Sequence, residues 1–241
     1  MSSRSKQSGA KRLRKMHDAL VKAYGPQFWW PAQTPFEVIV GAYLTQNTSW
    51  KAVQVSLANL RRAGAMSIEG IRGVSVDELR KFIRPSGFYT RKAPAIKTFV
   101  TMLDSEFNGS LGRLAALPTD VLRDRILELP GVGPETADAI LLYALGHPVP
   151  VADEYLRRVV ARHKLLRPDP DKNRTGYETL VQLTRDAFSS DRLQDRVQLF
   201  NEFHALTVAV GKAHCGRVPD CIRCPLSYDL DRNKKAHSCK E

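Results

Sequence analysis

Three features of the 241-residue chain predict an all-α protein. Apolar residues recur at spacings of three and four, the period of a helix face. Capping signals, Ser75-Val-Asp-Glu78 the clearest, open the periodic segments. No segment alternates as a half-buried strand would, and no internal repeat is evident. Hydrophobic residues at 43% and charged residues at 26% are ordinary for a globular chain and exclude wholesale disorder. The longest apolar run, Ala139 to Leu145, is far short of the roughly 20 residues that span a bilayer.

The elements follow in order. Residues 1 to 15 carry Arg4, Lys6, Lys11, Arg12, Arg14 and Lys15 with no acid before Asp18, which reads as a solvated tail or an arm laid on phosphate. No apolar stretch follows, so a secretory signal is not expected. Val38, Ala42 and Leu44 lead to a turn at Asn47-Thr48, and a helix from Ser49 places Val53, Leu57 and Leu60 on one face. The capping box opens a short helix through Phe82, Pro85-Ser-Gly87 breaks it, and Lys92 to Leu103 starts the next. Thr119 is placed as the cap of a helix ending at Leu129. Pro134 suits a first helical turn, and Gly146 closes that helix. Asp153 caps a helix to about His163, Arg167 to Lys172 is a loop, and Leu199, Phe203, Leu206 and Val210 stripe the last long helix.

A net charge of +12 suits a polyanion, nucleic acid first and an acidic membrane surface second. Between two helices, Leu129-Pro-Gly-Val-Gly-Pro-Glu-Thr-Ala137 makes a tight hairpin whose backbone amides can face a phosphate without reading bases. All four cysteines lie in the last 27 residues. Clustered there, they read as metal ligands in a reducing cytoplasm rather than as disulfide staples. Cys215, Cys221, Cys224 and Cys239 suffice for a [4Fe–4S] cluster or, as the alternative, a structural zinc.

Leu129 to Ala137 followed by Val151-Ala-Asp153 resembles the helix-hairpin-helix DNA glycosylases of the endonuclease III superfamily. Leu44-Thr-Gln-Asn-Thr48 and Ser86-Gly-Phe-Tyr-Thr-Arg-Lys92 extend the resemblance, and the terminal cysteines are similar to the family's cluster loop, although the last gap is longer here. The resemblance implies a two-domain helical body: a barrel at about 36–147, and a second domain from 1–35 and 148–241 carrying an iron–sulfur cluster loop. Its partner would be double-stranded DNA containing a damaged base, with no membrane, and the scaffold is usually a monomer. DNA would lie across the cleft, with Gly131, Val132, Gly133 and Thr136 of the hairpin on the backbone. Gln46 and Phe88 match residues that fill the gap left by an extruded base. Lys212, Arg217 and Arg223 are candidate phosphate contacts. Asp153 matches an aspartate that stabilises positive charge building on the sugar.

Two departures set the expected chemistry. Where strand-cutting members carry a lysine that forms a Schiff base, this chain has Glu135, which cannot form an imine. A monofunctional hydrolase leaving an abasic site is therefore expected, with Glu135 a candidate for ordering water. Trp29-Trp30-Pro31 and Trp50 resemble the base pocket of the superfamily's 3-methyladenine glycosylases. Aromatic faces suit a cationic methylated purine such as 3-methyladenine or 7-methylguanine. The alternatives are an endonuclease III-like enzyme on oxidised or deaminated pyrimidines and a non-catalytic DNA-binding module.

Overall fold

The computed structural model describes residues 3–30, 32–166 and 176–230. Among them every regular element is helical, and none is long and apolar enough to cross a membrane. The loop expected at Arg167 to Lys172 lies outside the described residues. The chain divides into two compact units: Trp30–Val149, and the ends Met1–Trp29 with Pro150–Glu241.

The internal unit holds eight helices among its described residues. They are α2 (Pro35–Thr45), α3 (Trp50–Arg62), α4 (Ile68–Gly73), α5 (Val76–Ile83), α6 (Tyr89–Phe107), α7 (Leu111–Ala115), α8 (Thr119–Leu127) and α9 (Pro134–Ala139), which runs on as a π-helical turn, Ile140–Ala144. Ser49 caps α3 and Ser75 caps α5 through a complete capping box with Glu78. Val40, Leu44, Leu60, Ile83, Phe99 and Ile140 meet in one core. Two buried carboxylates carry guanidinium partners: Glu37 with Arg61, and Asp138 with Arg123 at 2.6 Å.

The terminal unit holds α1 (Ser3–Tyr24), α10 (Glu154–Arg162), α11 (Tyr177–Ala187) and α12 (Arg196–Ala213). The basic N-terminal segment is thus helix rather than tail. Ala10, Leu13, Met16 and Leu20 follow the helical period and are buried as α1 packs on α11 and α12. Helices α10 and α12 approach closely at Gly211, where any Cβ would overlap the Tyr155 ring. Three local expectations are corrected. Thr119 does not cap α8; Pro118 takes that place, and the Thr119 hydroxyl meets His147 Nδ1 at 2.9 Å. Helix α6 begins at Tyr89, earlier than Lys92. On α12, Phe200 rather than Leu199 is buried, beside Phe188 at 6.0 Å.

Candidate functional site

In the internal unit, Gln46 follows the last turn of α2 and its amide nitrogen donates to Gly131 O at 2.9 Å and to Thr136 Oγ1 at 3.0 Å. The early glutamine is thereby docked on the hairpin, and Thr136 Oγ1 accepts from it while keeping its own O–H to donate. Gly131 takes φ +76°, the left-handed region that favours glycine, and Val132 N closes the turn on Leu129 O at 3.2 Å. Gly133 precedes Pro134 as the extended residue that starts α9, and Glu135 is exposed on the first turn.

Phe88 begins α6 with φ +47° and is 57% exposed. A pocket of about 210 Å³ brings Phe88 together with Gln46, Asn47, Arg91, Lys92 and Gly131. Tyr43 also lines it, with its hydroxyl buried and without a hydrogen-bond partner among the described residues. Lys92 is 4% exposed. Burial lowers its pKa to about 8.

The aromatic residues cluster in part. Trp30 lies edge-on to Trp50 with ring centroids 5.7 Å apart, and Tyr143 on the π-helical turn packs on Trp30 at 5.4 Å. Trp30 also lies against Gly41 of α2. Trp29 belongs to the terminal unit, where Lys212 Nζ stands 5.8 Å from its ring. Pro31 lies outside the described residues. Tyr143 escaped the sequence reading because a π turn shifts side-chain phase, and nothing in the apolar run from Ala139 announces one.

In the terminal unit, Asp153 caps α10, its Oδ1 accepting from Leu156 N at 2.9 Å. The other oxygen, Oδ2, stands 3.4 Å from His204 Nε2 on α12. Asp153 is buried, so one carboxylate serves as cap and still presents an oxygen to a ring nitrogen. His204 was missed because its signal, a lone histidine inside an apolar helix, is usually packing.

The cysteine loop follows α12. Cys215 is buried and accepts from Arg162 Nη1 at 3.0 Å. Burial, and secondarily the neighbouring Cys215, push the Cys224 thiol up. Cys221 is disulfide-bonded, and Cys239 lies outside the described residues. The Arg162 guanidinium beside Cys215 fits a sulfur ligand that carries negative charge, whereas a disulfide must be reduced before either sulfur can bind a metal. Among the described residues, no three histidine, cysteine or acidic side chains come together as a metal site. Of the candidate phosphate contacts, Arg217 is exposed and Arg223 pairs with Asp220 at 2.6 Å.

The loop's far end is braced. Arg12 of α1 donates to both Asp229 oxygens, at 2.9 and 2.5 Å, and to His163 O at 2.8 Å. His163 Nδ1 meets Asp229 at 3.0 Å.

Known proteins resemble this chain over most of its length. A putative DNA repair glycosylase of Methanocaldococcus jannaschii is 35% identical over 92% of this chain and 96% of its own. A thymine/uracil-DNA glycosylase of Pyrobaculum aerophilum is 30% identical over 90% of each. The crystal structure of the H. pylori 3-methyladenine DNA glycosylase MagIII bound to 1,N6-ethenoadenine superposes with a TM-score of 0.70 at 27% identity, covering 84% of this chain and 97% of that one. Residues 40–183 match the family described as HhH-GPD superfamily base excision DNA repair protein, and the chain belongs to that superfamily as a DNA glycosylase.

Proposed function

We propose that this glycosylase hydrolyses the N-glycosidic bond of N3- or N7-alkylated purines and leaves an abasic site. The observation that carries the proposal is the aromatic cluster of Trp30, Trp50 and Tyr143. Its rings offer faces and edges to an extruded base, and a cationic methylpurine gains about 0.5–2 kcal/mol over such a face relative to a neutral one. Likeness to a 3-methyladenine glycosylase structure supports the same substrate class. Alkylated purines have a weakened glycosidic bond, so the protein need not supply a strong acid to the leaving base. The Asp153 carboxylate stabilises the positive charge that builds on the sugar and orients water toward it. The bond from Leu156 N holds one oxygen in place. Gln46 and Phe88 fill the space the base vacates, and the 131–133 backbone with Thr136 receives the DNA strand.

Glu135 occupies the hairpin position where an amine would be needed for strand cutting, and a carboxylate forms no imine. Its charge suits a helix start, where it orders solvent. The resemblance to a thymine/uracil-DNA glycosylase favours a second reading, excision of damaged or mismatched pyrimidines. A panel of duplexes carrying 3-methyladenine, 7-methylguanine, uracil or thymine mismatches decides between them. Breaks at alkylated purines only after alkali are expected, with no borohydride-trapped adduct. Selective uracil or thymine release, or breaks without alkali, would overturn the proposal.

For the cofactor we propose a structural [4Fe–4S] cluster on Cys215, Cys221, Cys224 and Cys239 in the reduced protein. It would hold the loop and its basic side chains in place and run no redox step. Anaerobically purified protein should be brown and contain iron; colourless protein with stoichiometric zinc would assign the site to zinc instead.

A further inference from the structure

We propose that Lys92 is a positioning residue whose ammonium clamps the Gln46–Thr48 loop to the 84–88 turn and so sets the two wedge residues, Gln46 and Phe88, at one pocket. This rests on the wedge roles proposed above. The three N–H groups of Lys92 are all used: Leu44 O at 2.8 Å, Thr48 Oγ1 at 2.8 Å and Ser86 O at 2.9 Å. Leu44 belongs to the last turn of α2, whose carbonyls have no partner within the helix. Ser86 lies in the turn before Phe88. Thr48 Oγ1 stands 2.5 Å from Ser86 O, and Ser86 Oγ donates to Ser56 Oγ at 2.7 Å, so the knot reaches α3. The Phe88 ring centroid is 5.9 Å from the ammonium, within cation–π reach.

Both loops hold a residue that sterics disfavour. Asn47, beside the proposed wedge Gln46, has φ +50°, and Phe88, itself the second wedge, has φ +47°. Left-handed backbone at a side chain as large as phenylalanine persists only where surrounding contacts impose it. Here the contacts shared by both loops are one cation and the Thr48 Oγ1–Ser86 O bond that it flanks. An apolar side chain in its place would cost less desolvation but would reach none of the three acceptors. That a buried charge stands there without a carboxylate among its three hydrogen-bond partners points to geometry rather than stability.

The test uses the full chain and a duplex holding a tetrahydrofuran abasic analogue opposite 2-aminopurine, whose fluorescence rises when a wedge unstacks it. Gln46→Ala and Phe88→Ala should each lose most of that rise at saturating protein. Lys92→Met should lose it too, with helical circular dichroism and cooperative melting retained. Its excision from duplex should fall by about 10–100-fold, the scale of a small misplacement, while excision from single strands is spared. Wild-type amplitude in folded Lys92→Met, with the two wedge variants impaired, would overturn the clamp and leave the wedges standing. Wild-type amplitude in all three would remove the wedge roles and the clamp with them. Should Lys92→Met fail to melt cooperatively, Thr48→Val, which deletes at similar volume one acceptor of the ammonium and the bond donated to Ser86 O, must lower the amplitude; an unchanged rise there would equally overturn the proposal.

Discussion

Lys92 in the internal unit and Arg12 in the terminal unit are both cations that bind loops, and they do so with opposite electrostatics. Arg12 meets a carboxylate, and the bond to Asp229 raises its pKa further above neutrality. Lys92 meets two carbonyls and a hydroxyl, and burial lowers its pKa to about 8. Beside Asp229, burial also lowers the pKa of His163 against the pull of the carboxylate. The difference teaches what each loop is built to do. A paired charge locks a loop at every physiological pH, whereas a charge held only by neutral dipoles holds its loop while its proton stays on.

The largest expected effect lies with the other buried carboxylate of the terminal unit, Asp153. Asp153→Asn keeps the oxygen that caps α10 and removes the charge that faces His204. Excision should fall by on the order of 10²-fold or more, the loss seen when one preorganised electrostatic group is deleted. Binding to abasic-site DNA, followed by fluorescence anisotropy, should be retained. Excision near the wild-type rate would remove Asp153 from the chemistry and leave it a helix cap.

Second comes the brace. Asp229→Asn leaves Arg12 and His163 facing a neutral amide, and the Asp229 side chain is only 10% exposed. Because Arg12 is partly open to water, the loss should be about 2 kcal/mol, below that of a fully buried pair. For a chain of this size that lowers Tm by about 4–8 °C, readable by calorimetry. An unchanged Tm would mean that the brace is surface decoration and that the contrast with Lys92 is one of geometry alone.

What could be read beforehand divides along similar lines. Helices announce themselves locally: Ser49, Ser75 and Asp153 cap as their neighbours in sequence require. The short α4 and α7 and the π turn carry too few periodic residues to declare themselves. The basic N-terminal segment misleads because Lys and Arg outnumber the apolar positions there, although Leu13, Met16 and Leu20 mark a face. Gln46, Phe88 and the hairpin were visible as motifs. Their joining through Lys92 was not, since its partners are backbone oxygens and a threonine 44 positions away. A lysine's desolvation depends on tertiary burial, which no spacing rule encodes. The same holds for Asp229, whose guanidinium partner is 217 positions distant.

The expected effect that is smallest per measured step is also the one that separates the two cations most directly. The folded chain releases the Lys92 proton near pH 8, whereas an unfolded chain holds it to about 10.5. Between those values the unfolded state binds more protons, so this group makes wild-type stability rise with pH. Below pH 8 its full desolvation cost is present; above the ordinary lysine value it is gone. Lys92→Met has no such group, so its stability relative to wild type should fall as pH rises across that window, by about 3 kcal/mol in total and never more than about 1.4 kcal/mol per pH unit. Arg12 titrates above the window, and Arg12→Met should show a constant difference from wild type. Urea unfolding of the three proteins across the window reads both slopes. A pH-independent gap for Lys92→Met would mean that water or an acid reaches the ammonium, and the two cations would then be held alike.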